Sequence, residues 1–348
     1  MVQTHTHRSG GTHRAPAGAG PGTTADSTAA EGTADIRAAD ISGADGATSL
    51  VRRMLDAGLL APTGVLGLYG RSGAYQDVAD GIGMMVRRWG ASLGARRLHL
   101  PPVLARATFA HTNYLESFPD LMGSVHVFTG GDAEHKQLLR RVESGGDWPA
   151  LLEPAEVVLA SAACHGVYPL CSGTLPEEGL TFDVQSSCFR HEPSAQAARM
   201  QSFVMHEIVH VGTAQSAWDH REEGLARGIR MLEGLGLSMQ AVPASDPFFG
   251  RVGSVLAAGQ LEEHLKIEGV TPIPGTDGVT AIMSANCHRD HFGVPFSIRT
   301  AGGDVAHSAC VAFGIDRIVV ALLAVHGFEP ERWPFYVRSQ LGLAGTEG

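Results

Sequence analysis

From Leu50 onward the apolar positions recur at helical and strand spacings in turn. Between Tyr75 and Trp89, the residues Val78, Ile82, Met85 and Trp89 fall three or four apart, the stripe of an amphipathic helix, although Gly81 and Gly83 weaken its propensity. Arg97 to Pro102 predicts a short strand that stops at a proline pair, and Gly123 to Thr129 alternates as a strand. Asp132 to Val142 predicts a helix with Asp132 as its N-cap. Phe182 to Glu192 predicts a strand that runs into a loop over Pro193 to Ala198. Thr213 to Leu235 places Trp218, Leu225, Ile229 and Leu232 along one helical face, and a last strong helix spans about Ile315 to His326. Strands arrive in antiparallel-looking runs without regular strand–helix alternation, which predicts an α+β fold. No internal repeat interrupts it.

Composition refines this picture. The 348 residues, 44% of them hydrophobic, suffice for a full core. Residues 1–45 carry almost no large apolar side chains, so a disordered low-complexity tail is expected there, followed by a folded domain over 46–348. The longest apolar run near the C-terminus, Ile318 to Val325, is far short of the ~20 residues a membrane span needs. The N-terminus has no apolar secretory core, so a cytoplasmic protein without membrane contact is expected. Five cysteines at irregular spacing favour reduced thiols or metal ligands over a disulfide framework. A formal charge of −10 argues against a broad nucleic-acid surface.

The stretch HEIVH at His206–His210 matches the H-E-x-x-H pattern of zinc peptidases, which works only on a helix, where both histidines meet one ion. Here Phe203 to Val211 is rich in β-branched residues, and a strand is expected. On a strand the two imidazoles stand ~13 Å apart, too far for one metal. His220 comes too late for the extended peptidase pattern, and Glu222 and Glu223 are only loose substitutes. Period-2 alternation instead puts Phe203, Met205, Glu207, Val209 and Val211 on one face, and Arg190 with Glu192 on a face of the preceding strand. A hairpin would then gather a guanidinium for phosphate or carboxylate, a carboxylate acceptor for an amino group, and a ring for stacking.

Those residues carry a resemblance. Cys188-Phe-Arg-His-Glu-Pro-Ser194, with Arg199 and Phe203, looks like motif 2 of the class II aminoacyl-tRNA synthetases, and Ala312-Phe-Gly-Ile-Asp-Arg317 resembles their motif 3. The helix from Tyr75 and the strand before Pro101 resemble the weaker motif 1, which forms the dimer interface of that fold. Ser161-Ala-Ala-Cys-His165, Arg190-His-Glu-Pro-Ser194, Asp246-Pro-Phe-Phe-Gly-Arg251, Asn286-Cys-His-Arg-Asp-His-Phe-Gly293 and His307-Ser-Ala-Cys310 together resemble the amino acid:[carrier protein] ligases, relatives of the methanogen-type seryl-tRNA synthetase core. The similarity runs from about Leu50 to Leu341.

The resemblance implies a class II antiparallel sheet flanked by helices, in a homodimer. It implies ATP-dependent activation of a small amino acid, glycine or alanine, and its transfer to the phosphopantetheine thiol of a small acidic carrier protein, with no tRNA. It implies zinc on Cys164, Glu207 and Cys310, with the fourth position taking the substrate amine, so that HEIVH contributes its glutamate and neither histidine. Arg190 is expected on the α-phosphate and the amino-acid carboxylate, Glu192 on the adenine amino group, Phe203 under the base, and Arg317 over it or on the γ-phosphate. Arg199, Met200, Lys266 and Ala281, Ile282, Met283 and Ser284 are expected to complete the ATP site, with Mg²⁺ bridging the phosphates. No general base is required, because a thiolate is already a strong nucleophile. Arg221, Arg227 and Arg230, on the helix after motif 2, are the expected carrier contacts. Ala312 replaces the first glycine of motif 3. A tRNA-charging relative and a non-catalytic paralogue are the competing readings, with a peptidase behind both.

Overall fold

The computed structural model describes residues 49–246 and 257–343. The expected tail, and all of the Asp246-to-Arg251 stretch except Asp246, lie outside them. Helix α1 (Gly73–Ser92) begins where the Ser72 side chain accepts from the Tyr75 N–H. Strand β1 (Arg96–His99) follows it, then β2 (Leu180–Phe189), β3 (Ser202–Gly212), α2 (Ala214–Glu233, with Thr213 as N-cap), β4 (Gln240–Ala244), β5 (Lys266–Pro272), β6 (Val279–Arg289), β7 (His307–Gly314) and α3 (Ile315–His326). The seven strands form one sheet in the order β4-β5-β6-β7-β3-β2-β1. Every neighbouring pair is antiparallel except β1 and β2.

The sheet separates two cores. Val204 and Ile208 of β3 and Val311 and Phe313 of β7 face α1, α2 and α3, in a core with Trp89, Leu232 and Ile318. Met205 and Val209 of β3, with Cys310 of β7, face the other way, toward Cys164, Tyr168 and Phe292. HEIVH therefore lies on a strand, as its β-branched composition predicts: His206 enters the helical side, where Nε2 sits 2.5 Å from Asp183, and Glu207 enters the opposite side.

The glycines that weaken the helices locally are where helices touch the sheet and one another. A methyl built on Gly81 would lie 2.5 Å from the Leu341 carbonyl, and one on Gly224 of α2 would lie 2.3 Å from Val311 Cγ2. Val311 is stiff at χ1 and fully buried, so it has nowhere to turn. Gly224→Ala should therefore destabilise the protein by about 1–3 kcal/mol despite its better helix propensity, read from urea unfolding.

Residues 103–159 add a smaller unit on the pocket side. Its three strands, Val103–Ala105, Glu153–Leu159 and Ser124–Val127, pair antiparallel around a small core of Phe109, Tyr114, Leu121 and Val158. The helix Asp132–Glu143 belongs to this unit, but its N-cap is Gly131 and Asp132 is its first helical residue. The Glu134 carboxylate accepts from the Gly131 N–H at 3.0 Å, so the cap is made by the third helical side chain reaching back. Among the described residues no helix is long and apolar enough to cross a membrane.

Candidate active site

One cavity of about 680 Å³ opens on the face of the sheet away from α2. Its volume is in the range of small-molecule sites. Four strands supply its floor, because alternate residues of each point the same way: Phe203, Met205 and Glu207 from β3, Cys310 and Ala312 from β7, Ser284 and Asn286 from β6, Lys266 and Glu268 from β5. Arg190 and Glu192 enter just past the end of β2, and Arg317 from the first turn of α3.

At one end the ligating atoms of Cys164, Glu207 and Cys310 lie within 4.8 Å of one another, all three buried. Ligand atoms around a tetrahedral zinc stand about 3.3–3.8 Å apart, given bond lengths of about 2.0–2.3 Å, so the three groups need close in only slightly. The site is built for a free carboxylate oxygen. Glu207 Oε1 accepts from the Ala163 and Cys164 backbone N–H groups at 2.9 and 3.0 Å, which leaves Oε2 for a further partner. The short 3₁₀ turn at Cys164–Gly166 aims those amides and the Cys164 thiol at the same point. Hydrogen bonding to Cys310, burial and the nearby Glu207 push the Cys164 thiol well above the ordinary thiol range. The Cys310 thiol is likewise raised, so the two buried thiols resist ionising side by side, and a divalent cation between them would offset that repulsion. Asn286 donates to Cys310 Sγ at 3.4 Å, and His288 Nε2 lies 3.6 Å from the same sulfur, with its Nδ1 3.0 Å from Ser308 Oγ. Such outer contacts orient a metal-binding thiolate.

The other end gathers positive charge. Burial, then Arg190, then Arg199 hold the Arg317 pKa below its ordinary value, so three guanidinium groups sit within electrostatic reach of one another. Arg317 is fixed by donating to the Ala198 and Ala281 carbonyls at 2.9 Å each. Arg190 donates to the Ser161 carbonyl at 3.2 Å, and its guanidinium carbon stands 5.5 Å from the centre of the Phe203 ring. An arginine cluster beside a flat ring suits a polyanion attached to a base.

The expected residues divide into three groups. Arg190, Glu192, Met200, Phe203, Lys266, Ala281, Ile282, Met283, Ser284 and Arg317 all line the cavity together with Cys164, Glu207 and Cys310. Arg199 stands behind the wall, half exposed, pairing with Glu192 at 3.0 Å. Lys266 reaches the cavity already bound: Nζ lies 2.5 Å from Asp246 and 3.1 Å from Glu268, and those carboxylates outweigh burial in raising its pKa. The three arginines expected as carrier contacts differ in exposure. Arg221 is buried, lying over the Trp218 ring, because the inward face of α2 is made of Ala217, Arg221, Gly224, Gly228 and Leu232, with Leu225 and Ile229 at its margin and Trp218 exposed. Arg227 and Arg230 are exposed, but α2 packs on Val311 and Phe313, across the sheet from the cavity.

Asn286, His288 and His165 fall in the motifs quoted above but carry no assigned role there, and Tyr114 falls in none; Tyr114 and His165 close the cavity beside Phe292. The first two carry a legible signal, because Ser284, Asn286 and His288 alternate along one strand. Tyr114 comes from the added unit of residues 103–159, which has no pattern linking it to the site.

No family model matches the chain. Two curated relatives from Bradyrhizobium diazoefficiens, amino acid–[acyl-carrier-protein] ligases 1 and 2, are each 42% identical, over 289 and 283 residues. The two alignments span 81% of this chain each, and 88% and 84% of the relatives. Among solved structures, seryl-tRNA synthetase from Methanopyrus kandleri, determined with a tRNA, superposes with a TM-score of 0.73 at 21% identity, over 85% of this chain and 60% of that one. That likeness shows the fold: a class II synthetase sheet flanked by helices. The chain belongs to the amino acid–[acyl-carrier-protein] ligase family, a family of ATP-dependent ligases.

Proposed function

We propose that the protein condenses a small amino acid, glycine or alanine, with ATP to form an aminoacyl-adenylate and pyrophosphate, then passes the aminoacyl group to the phosphopantetheine thiol of an acidic carrier protein. The observation that carries this reading is one cavity holding a Cys164–Glu207–Cys310 triad at one end and the Arg190–Arg317 pair at the other. An α-amino acid has an amine and a carboxylate two bonds apart, and this floor offers a partner for each.

Cys164, Glu207 and Cys310 would hold zinc, which supplies a Lewis-acid position for an unprotonated amine. Arg190 brings the carboxylate and the α-phosphate together and stabilises the charge that grows on the phosphoryl oxygens as the carboxylate attacks and pyrophosphate leaves. Arg317 contributes to the same field from the other side. Phe203 carries the adenine ring, and Glu192 accepts from its amino group. Mg²⁺ is expected to accompany the triphosphate, as the chemistry requires. The carrier thiolate then attacks the adenylate carbonyl and AMP leaves. No protein nucleophile is needed.

The class II resemblance also supports a homodimer through α1 and β1. In the sheet order β1 is an edge strand, whose free hydrogen-bonding side is open to pairing.

Amino-acid-dependent ATP/pyrophosphate exchange, measured for all twenty amino acids with and without chelator, tests the reading. Exchange confined to small amino acids and lost on chelation is the expected result. No exchange from folded, zinc-loaded protein would sink the adenylation step and leave a non-catalytic scaffold.

A further inference from the structure

Strand β3 is bordered unequally. On one side it pairs with β2 from Ser202 to Val211, but on the other β7 reaches only Met205 to Gly212. Ser202, Phe203 and Val204 thus lie beyond the end of β7, where the backbone groups of Ser202 and Val204 that point to that side have no strand to meet. Two side chains take the place of the missing rung. Asp316, in the first turn of α3, accepts from the Val204 backbone N–H through Oδ2 at 2.6 Å. Arg71 donates to the Ser202 carbonyl at 3.0 Å, and its Nε donates to Asp316 Oδ1 at 2.6 Å. Tyr75, on the first turn of α1, donates to the same Oδ1 at 2.9 Å. The Asp316 side chain is 5% exposed and that of Arg71 22%, so the pair is charge-assisted and shielded on one side.

The residue bracketed by these two bonds is Phe203. We propose that Arg71 and Asp316 act as a side-chain rung that fixes the Phe203 ring for the adenine of ATP, making them positioning residues of the adenylation reaction. The proposal rests on the reading that Phe203 carries the base. Asp316 lines the cavity, but both its oxygens are engaged by Arg71, Tyr75 and Val204, so its part is exerted through the backbone on either side of the ring. The adjacent Arg317 is tied to the Ala198 and Ala281 carbonyls. Two consecutive residues of α3 therefore serve the same site, one holding the ring and the other facing the cavity.

The geometry separates substrates. The rung touches β3 at Ser202 and Val204, whereas the metal triad uses Glu207, further along the strand and paired with β7 at Ala312. Loosening the rung should weaken ATP and spare the amino acid. Arg71→Met is expected to raise the ATP KM in pyrophosphate exchange about tenfold, while the amino-acid KM stays within about twofold. Arg71→Lys keeps the charge but not the fork that bonds Asp316 and Ser202 together, so it should recover only part of the loss. In a Phe203→Leu background, Arg71→Met should add less than about twofold, because the ring it positions is gone.

Full additivity of the two substitutions would overturn the proposal, as would equal rises in both KM values accompanied by a lowered Tm. A normal ATP KM in Arg71→Met, with a raised one in Phe203→Leu, would overturn the proposal alone. An unchanged ATP KM in Phe203→Leu would remove the role of the ring, and the proposal with it.

Discussion

Cys310→Ala is expected to lower bound zinc from about one equivalent per chain to near none, and to reduce amino-acid-dependent exchange at least about 10³-fold. The magnitude follows from the geometry. Glu207 can present only one free oxygen, because the Ala163 and Cys164 amides hold the other. Losing one thiolate leaves a two-donor site, too few to hold a divalent ion against water. The amine then has no anchor, and a carboxylate no longer poised against the α-phosphate forfeits much of the effective molarity that a fixed near-attack geometry supplies. The control is Cys171→Ala. Cys171 is equally buried, but burial pushes its thiol up to about 12 and its Sγ bonds only to the Val167 carbonyl at 3.6 Å. It should keep its zinc and lose only packing energy. Metal content by elemental analysis, measured beside exchange, separates the two variants, and a zinc-replete Cys310→Ala protein with full activity would refute the assignment.

This contrast also shows what the residues alone could tell. Cys164 and Cys310 are distinguished from the other three cysteines only through the family motifs, since all five are buried and free. The strand character of HEIVH was legible because β-branched residues and period-2 alternation agree, and that placed Glu207 and Phe203 on one face before any coordinates. The helix after motif 2 was legible in extent and only partly in facing: Leu225, Ile229 and Leu232 meet the core, whereas Trp218 does not. Its inward side is made of Ala217, Gly224 and Gly228, residues that look like propensity faults yet let the helix approach β6 and β7 closely. The stripe marks Leu225, Ile229 and Leu232 correctly as core-facing, but Trp218 is exposed and Arg221 is buried, because small residues and not the stripe set the line of closest approach. The Arg71–Asp316 rung joins residues 245 apart in sequence, a pairing no local pattern encodes.

Arg190→Ala carries the second large expected effect: kcat for adenylation should fall about 10²–10³-fold, with a smaller change in the ATP KM. On the adenylation reading, Arg190 stands where the two substrates must meet, since it lines the same cavity as the triad and Arg317, tied to the Ser161 carbonyl and lying near Phe203. Removing its guanidinium takes away a charge whose interaction strengthens as negative charge concentrates on the α-phosphoryl oxygens, so the loss falls on the transition state more than on binding. Arg317 cannot replace it, because two backbone carbonyls hold that side chain in place. Arg190→Lys should restore only part of the rate, since an ammonium cannot bridge carboxylate and phosphate as a planar fork does. The double variant Arg190→Ala/Cys310→Ala decides whether the ends of the cavity act as one device. If amine anchor and guanidinium align a single reacting pair, the second substitution should cost far less than it does alone. Fully multiplicative losses would mean instead that the triad binds and Arg190 reacts independently.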